Sequence, residues 1–205
     1  MPFPNCTLAM YVNDLELLKK LKNDDEIAFK VVFNKYYSRL YYFTLEFVRM
    51  EDIAENIVQD TFCTLWNKRH ELTDSTNFGA YLFTVAKNNC IYRLRDRKYR
   101  KKLFTEHSTD RIEVETNLEV LSTIDSSAYA FEEIERIIQN TLDELPPQCR
   151  RVFMLSRFEE KKNKEIAEEL NISVKVVEKH ITKGLKIFKV ALKDYLPFVS
   201  YLFIP

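Results

Sequence analysis

Residues 163–189 read NKEIAEELNISVKVVEKHITKGLKIFK, and this segment predicts two short helices joined by a tight turn. Asn163 is a candidate N-cap for the first helix and Ser173 for the second. Residues 171–173 supply the turn, and the small side chain of Ala167 allows the two helices to cross closely. This pattern is typical of a helix-turn-helix, whose second helix enters the major groove of DNA.

The second predicted helix has an apolar side and a basic side. Its apolar residues recur at helical spacing and are Val174, Val177, Ile181, Leu185 and Phe188. Its lysines form a band suited to DNA phosphates, although a solvated face is the alternative: Lys175, Lys179, Lys183, Lys186, Lys189 and Lys193. The motif assigns this helix to DNA, which favours contact. The predicted base-reading side chains are Lys175, Glu178, Lys179, Thr182 and Lys183.

The composition of the whole chain predicts an all-α protein. The 205 residues include only two glycines, Gly79 and Gly184, and no proline lies between Pro4 and Pro146. The turn signals on which β-hairpins depend are therefore missing. Hydrophobic residues make up 46% of the chain, which is enough for a buried core.

Metal, disulfide and membrane functions are not favoured by the sequence. Zinc and disulfide frameworks need clustered spacings, whereas these residues are scattered: Cys6, Cys63, Cys90, Cys149, His70, His107 and His180. The N-terminus has no secretory pattern, and the apolar tail at 195–205 is too short to span a bilayer. We expect no cofactor, no metal, no membrane insertion and a cytoplasmic location.

Charge is segregated along the chain, although 31 basic and 31 acidic residues give a formal net charge of zero. Helical spacing predicts helices near 24–48, 51–68 and 78–102, the last with a strongly basic end. From 103 to 135 the only Lys or Arg is Arg111, and the part from 105 to 127 has weak periodicity. We interpret this stretch as a flexible acidic linker, with an ordinary solvated loop as the alternative.

The predicted architecture is two helical domains joined by that linker. The first domain covers 14–102, the linker covers 103–128, and the second domain covers 129–195 with the helix-turn-helix near its end. In the second domain, Pro146 and Pro147 end one helix and begin the next.

Three segments together resemble a bacterial extracytoplasmic-function (ECF) sigma factor of the sigma-70 family. EDIAENIVQDTFCTLW at 51–66 is similar to the core-binding helix of region 2. FGAYLFTVAKNNCIYRLR at 78–95 is similar to the helix that melts and reads the −10 element. LDELPPQCRRVFMLSRFEEKKNKEIAEELNISVKVVEKHI at 142–181 is similar to region 4, which reads the −35 element.

The resemblance implies an alternative sigma factor that directs transcription initiation and has no catalytic activity. Its partners would be promoter DNA and the RNA polymerase core, through the β′ clamp helices and the β flap, with an anti-sigma factor as a further partner and no small-molecule substrate. The implied core-binding residues are Glu55, Asn56, Gln59 and Asp60. Simple solvation is the alternative for that face.

The resemblance also implies a surface for the opened −10 strand. Its residues would be Phe78, Tyr81, Asn88, Arg93 and Arg95, with loop 67–77 as a pocket wall. Asn88 matches an asparagine that helps bind a flipped base, and the basic run from Arg93 to Lys102 would follow the DNA backbone. Phe78 and Tyr81 are candidates to stack on bases, although core packing is the alternative for each.

Two other functions remain possible at this level. A stand-alone LuxR-type regulator would also carry a helix-turn-helix, but it would not need the segments at 51–95. A helical enzyme would need a carboxylate cluster, a Cys/His pair or a glycine-rich phosphate loop, and the sequence has none of these patterns.

Overall fold

The computed structural model describes residues 14–96, 109–159 and 161–203. Within these residues the chain is helical and contains no strand, which confirms the all-α prediction. The helices are α1 (Asp14–Lys22), α2 (Glu26–Val48), α3 (Glu51–Asn67), α4 (Phe78–Arg95), α5 (Thr109–Thr123), α6 (Ala128–Glu144), α7 (Pro147–Arg157), α8 (Asn163–Leu170), α9 (Val174–Ala191) and α10 (Leu196–Val199). Short 3-10 turns lie at Arg69–Glu71, Lys193–Tyr195 and Ser200–Phe203.

The chain divides into two compact units, and the division falls between Phe131 and Glu132 inside α6. The first unit contains α1 to α5, and the second contains α7 to α10. Among the described residues, no helix is long and apolar enough to cross a membrane.

The core of the first unit lies between α2, α3 and α4. Asp25 caps α2 by accepting hydrogen bonds from the backbone N–H groups of Ile27 at 2.8 Å and Ala28 at 3.1 Å. Buried side chains follow α2 at helical spacing: Val32, Tyr36, Leu40, Phe43 and Phe47. They meet buried aliphatic and aromatic side chains of α3 and α4, including Ile57, Leu65 and Phe83.

The predicted flexible linker contains a helix, α5, that packs on the first unit. Val114 and Leu121 of α5 are 4% and 0% exposed. Asn117 Nδ2 donates to the carbonyl oxygen of Phe47 at 2.8 Å, near the C-terminal end of α2. That carbonyl is among the last four of α2, which lack partners inside their own helix. The interpretation of this stretch as unstructured is therefore wrong for residues 109–123.

The segment after α5 continues to contact α4. Thr84 Oγ1 lies 2.9 Å from Ser126 Oγ, and Lys87 Nζ donates to the carbonyl oxygen of Ile124 at 3.1 Å. Phe131, at the end of the unit, packs its ring on Phe83 with centroids 5.0 Å apart. The first unit thus includes α5 and the start of α6, beyond the limit of residue 102 that the sequence suggested.

The core of the second unit joins α7, α8 and α9. Its buried members are Val152, Leu155, Ile166, Ala167, Val177 and Ile181. Ala167 is 7% exposed at the crossing of the two helix-turn-helix helices, as its small size predicted. Val174 was predicted to be buried, but it is 36% exposed. It is the first residue of α9, and the buried positions of this helix begin one turn later, at Val177.

Two predicted N-caps have different outcomes. Ser173 is the N-cap of α9, and its Oγ accepts from Val176 N at 3.4 Å. Asn163 is not the N-cap of α8, because α8 already includes it. The N-cap is Lys162. Its backbone N–H donates to Oε2 of Glu165, in the first turn of α8, at 2.8 Å, as in one half of a capping box.

Both glycines lie where a phenylalanine ring presses on a helix backbone. A Cβ at Gly184 would lie 2.9 Å from Phe153 Cε2 and closer still to Phe153 Cδ2. A Cβ at Gly79 would lie 2.9 Å from Phe131 Cδ1. Neither glycine has a positive φ angle, so close approach rather than backbone conformation explains them.

Candidate functional site

The predicted core-binding residues of α3 lie together on its solvent face. Glu55, Asn56, Gln59 and Asp60 are all exposed, opposite the buried Ile57, Val58 and Phe62. Cys63 is also exposed, four residues after Gln59, and therefore lies on the same face. Within the described residues, Glu55, Asn56 and Gln59 make no side-chain hydrogen bond or ion pair, so these groups are available to a partner.

The fourth member of that face, Asp60, has a partner on α4. Asp60 Oδ2 lies 3.3 Å from Arg93 Nη2, and the two side chains are 58% and 35% exposed. One predicted core-binding residue is thus paired with one predicted −10 residue. Exposed ion pairs contribute only about 0–1 kcal/mol to stability, so Asp60 and Arg93 can each leave this pair to bind another partner at little cost.

One face of α4 carries most of the predicted −10 residues. Tyr81, Asn88 and Arg95 are seven residues apart in each step, which is close to two helical turns. Asn88 and Arg95 are exposed, and Tyr81 is half-buried. Tyr92, which the sequence analysis did not select, lies between Asn88 and Arg95 on this face and is 69% exposed.

Phe78 does not belong to this face. Its side chain is 0% exposed in the core of the first unit, at the first position of α4. A ring that is fully enclosed cannot stack on a base, so the prediction of a DNA contact by Phe78 is wrong. The alternative of core packing is confirmed.

Tyr81 lies against the loop that precedes α4. Its hydroxyl is buried and has no hydrogen-bond partner among the described residues. Burial raises the pKa of the Tyr81 phenol, and the carboxylate of Glu71 in the loop raises it further. The phenol therefore stays protonated and remains a hydrogen-bond donor.

The loop before α4 is short and internally bonded. Thr73 N donates to Thr76 Oγ1 at 3.0 Å, and Thr76 N donates to Thr73 O at 2.9 Å. Asn77 ends the loop as the N-cap of α4, because its Oδ1 accepts from Ala80 N at 2.9 Å. This loop carries the predicted pocket wall. The part of the predicted basic run from 97 to 102 lies outside the described residues.

The lysines of α9 face away from the core of the second unit, whereas Lys193, predicted to extend the band, lies in the 3-10 turn after the helix. The buried positions are Val177, Ile181, Gly184 and Phe188, and all five predicted base-reading side chains are exposed on the other side: Lys175, Glu178, Lys179, Thr182 and Lys183. Among the described residues, none of these lysines forms an ion pair. Asn171 adopts the left-handed conformation at φ 51° that ends α8 and makes the turn tight.

Comparison with known protein families gives a match in each unit. Residues 32–100 match the model of Sigma-70 region 2, and residues 135–187 match the model of Sigma-70, region 4. The chain is 25% identical over 178 residues to the ECF RNA polymerase sigma factor SigW of Bacillus subtilis, covering 86% of this chain and 95% of that protein. This chain is an ECF sigma factor of the sigma-70 family.

Two further proteins are similar over comparable lengths. The ECF RNA polymerase sigma-E factor of Haemophilus influenzae is 21% identical, with 86% of this chain and 94% of that protein covered. The solved structure of CnrH in complex with the cytosolic domain of CnrY covers 89% of this chain and 98% of that chain at 20% identity. The TM-score of this comparison is 0.37.

The sigma factor therefore directs promoter-specific transcription initiation as an alternative sigma factor. The match at 32–100 covers the α3 and α4 segments that a LuxR-type regulator would not need, which removes that alternative. Within the described residues, no group of His, Cys, Asp and Glu side chains comes together as a metal site.

Sequence reasoning missed the contacts that tie α4 to its neighbours. The pair between Asp60 and Arg93 joins residues 33 positions apart, and helical spacing within one element carries no information on such a contact. Tyr92, in contrast, was accessible from the sequence. Its position four residues after Asn88 and three before Arg95 places it on their face.

Proposed function

We propose that this sigma factor docks on RNA polymerase through the exposed face of α3 and reads its promoter with α4 and α9. The carboxylates of Glu55 and Asp60, with the amides of Asn56 and Gln59, form a surface suited to arginine-rich helices such as the β′ clamp helices. The support for this assignment is that all four side chains are exposed and that three of them make no side-chain hydrogen bond or ion pair with any described residue.

The α9 face is proposed to read the −35 element. The observation that carries this step is that the lysines of α9, opposite the buried side of the same helix, form no ion pair within the described part of the chain. Each lysine that neutralises a phosphate releases a counterion, so affinity falls steeply with salt. Thr182 and Glu178 supply the smaller contacts to base edges. The β flap of the polymerase is the proposed support for this unit.

The α4 face is proposed to hold the opened −10 strand, with loop 68–77 beside it. Asn88 offers an amide that both donates and accepts hydrogen bonds, and Arg95 offers a cation to the backbone. No catalytic step is required for either task, because binding energy alone opens the duplex. The protein would act in the cytoplasm, where RNA polymerase meets DNA.

Core binding can be tested with a native reporter on the α3 face. Cys63 is exposed there, whereas Cys90 and Cys149 are buried. In a Cys6→Ser background, maleimide should label Cys63 in the free protein and should fail to label it after core polymerase is added. Unchanged labelling in a complex that co-elutes with core would show that α3 is not the docking face.

Gln59→Ala is the most specific variant for testing whether α3 binds core polymerase. Gln59 is exposed and makes no side-chain hydrogen bond among the described residues, so the change should weaken core binding without affecting the thermal unfolding midpoint. A change at Asp60 is less specific, since it also releases Arg93. Lys30→Ala, which replaces an exposed side chain of α2, serves as the control.

The −35 assignment is tested by duplex binding. Lys179→Ala and Lys183→Ala should each weaken binding to a cognate −35 duplex, and each should reduce the slope of log K against log salt by about 0.9. The cognate promoter comes from in vitro transcription with core enzyme on a genomic library. Unchanged affinity and slope in both variants would remove α9 from the reading face.

An anti-sigma factor is a further proposed partner, which the family resemblance implies. Such a protein would have to cover the α3 or α9 face to block transcription. The Cys63 reporter distinguishes the two, because only a partner seated on α3 protects this thiol from maleimide.

A further inference from the structure

Tyr92 is the most exposed aromatic side chain on α1 to α4. It is 69% exposed, and its ring has no aromatic or cationic partner among the described residues. The other tyrosines of α2 and α4 are buried or half-buried, and those of α2 pack on neighbouring rings or cations. An exposed tyrosine ring that packs on no neighbouring side chain presents apolar surface to water, which is unfavourable.

The surroundings of Tyr92 are polar and basic. On the same face of α4, Asn88 precedes it by one turn and Arg95 follows it by one turn, and both are exposed. Beyond Arg95 the sequence continues as DRKYRKK, so positive charge increases along the chain. An exposed aromatic face flanked by cations is the chemistry that binds single-stranded nucleic acid, because bases stack on the ring while cations attract the backbone.

We propose that Tyr92 stacks on an unpaired base of the opened promoter strand and thereby favours melted DNA over duplex. This inference rests on the proposed −10 role of α4 and adds a residue that this role did not include. In duplex DNA both faces of each base are covered by neighbouring bases, so the ring of Tyr92 has nothing to stack on. Once the strand is opened, an exposed base face is available, and stacking recovers part of the cost of melting.

The experiment compares melted and paired DNA with the full chain bound to core polymerase. The probe is a promoter fragment with a pre-melted −10 bubble, next to a fully paired fragment of the same sequence. Tyr92→Ala should weaken binding to the bubble roughly tenfold and should leave binding to the paired fragment within about twofold, as expected for the loss of one stacked base. The salt dependence should stay unchanged, since no phosphate contact is lost.

Matched variants identify the contact as stacking. Tyr92→Phe keeps the ring and should bind the bubble like the parent protein. Tyr129→Ala removes another highly exposed tyrosine, 76% exposed at the start of α6, and should have no effect. Arg95→Ala should weaken binding and lower the salt slope by about 1, as expected for a phosphate contact.

Three results would overturn the proposal. Parent-like bubble binding by Tyr92→Ala, together with weak binding by Arg95→Ala, would show that α4 holds DNA without stacking on Tyr92. Equal losses in Tyr92→Phe and Tyr92→Ala would assign the effect to the hydroxyl. If Asn88→Ala, Tyr92→Ala and Arg95→Ala all bind normally, the −10 role of α4 fails and the proposal fails with it.

Discussion

The two helices assigned to DNA, α4 in the first unit and α9 in the second, present their polar side chains in different ways. The lysines of α9 make no ion pair within the described residues, so each should contribute to binding nearly independently. On α4, Arg93 is paired with Asp60, and Lys87 donates to the carbonyl oxygen of Ile124. The side chains of α4 are therefore coupled to α3 and to the connector, and a change at one site alters another.

The largest expected effect comes from the glycine of the second unit. In an ordinary helix, Gly→Ala stabilises by about 1 kcal/mol. At Gly184 the added methyl group would collide with the ring of Phe153, which is itself stacked on Phe188 with centroids 4.7 Å apart. We expect Gly184→Ala to destabilise the second unit by roughly 1–3 kcal/mol, measured by chemical denaturation.

Gly79→Ala provides the comparison in the first unit. Here the methyl group would lie 2.9 Å from Phe131 Cδ1 and 3.2 Å from Asn77 Oδ1, a milder approach than at Gly184. The gain in helix propensity offsets much of the strain, so the net change should stay within about 1 kcal/mol. The two buried thiols report on opening of the two units separately, since Cys90 lies in the first unit and Cys149 in the second. Burial raises the pKa of Cys90 to about 12 and raises that of Cys149, so alkylation requires local opening. Gly184→Ala should accelerate labelling of Cys149 alone.

An intermediate effect is expected where the connector helix meets the first unit. Asn117→Ala removes the hydrogen bond to the carbonyl oxygen of Phe47 and should cost roughly 0.5–1.5 kcal/mol of stability. Glu119→Ala, at an exposed position of the same helix, is the control. If this segment were a flexible linker that does not pack on the first unit, neither variant would change the stability. Stabilities equal to that of the parent protein in both variants would therefore restore the flexible-linker interpretation for α5.

Most of the fold could be predicted because amphipathic helices carry their own information. The period of apolar residues gave α2, α3 and α9 to within a few residues, since burial of one face imposes that period. The exposed faces of α3 and α9 followed directly, as the residues left over by the core. The candidate sites on these two helices were therefore accessible from the sequence.

The connector and the α4 site were harder to predict for a physical reason. Helix α5 has weak periodicity because, of its side chains at 112–123, only Val114 and Leu121 are buried. Polar contacts such as that of Asn117 complete its attachment. Phe78 was misjudged because a residue at a helix start has no preceding turn to define its face. Both errors concern contacts between elements that lie far apart in sequence.

The smallest expected effect concerns the coupling between α3 and α4. A double-mutant cycle with Asp60→Asn and Arg93→Gln should give a coupling energy of roughly 0.2–1 kcal/mol in the free protein, since the pair is exposed. The value should decrease as salt is raised, because exposed charges are screened. A coupling energy of zero at low salt would mean that the two side chains do not interact in solution.

The same variants also separate the two roles of this ion pair. Asp60→Asn should weaken core binding, because one carboxylate of the docking face is lost. In the free protein it should also strengthen binding of single-stranded DNA, by up to about threefold, because Arg93 is no longer paired with Asp60. Arg93→Gln should weaken the same binding and cancel the gain in the double variant. If Asp60→Asn leaves DNA binding unchanged, Arg93 does not reach the strand, and the coupling between docking and promoter binding is absent.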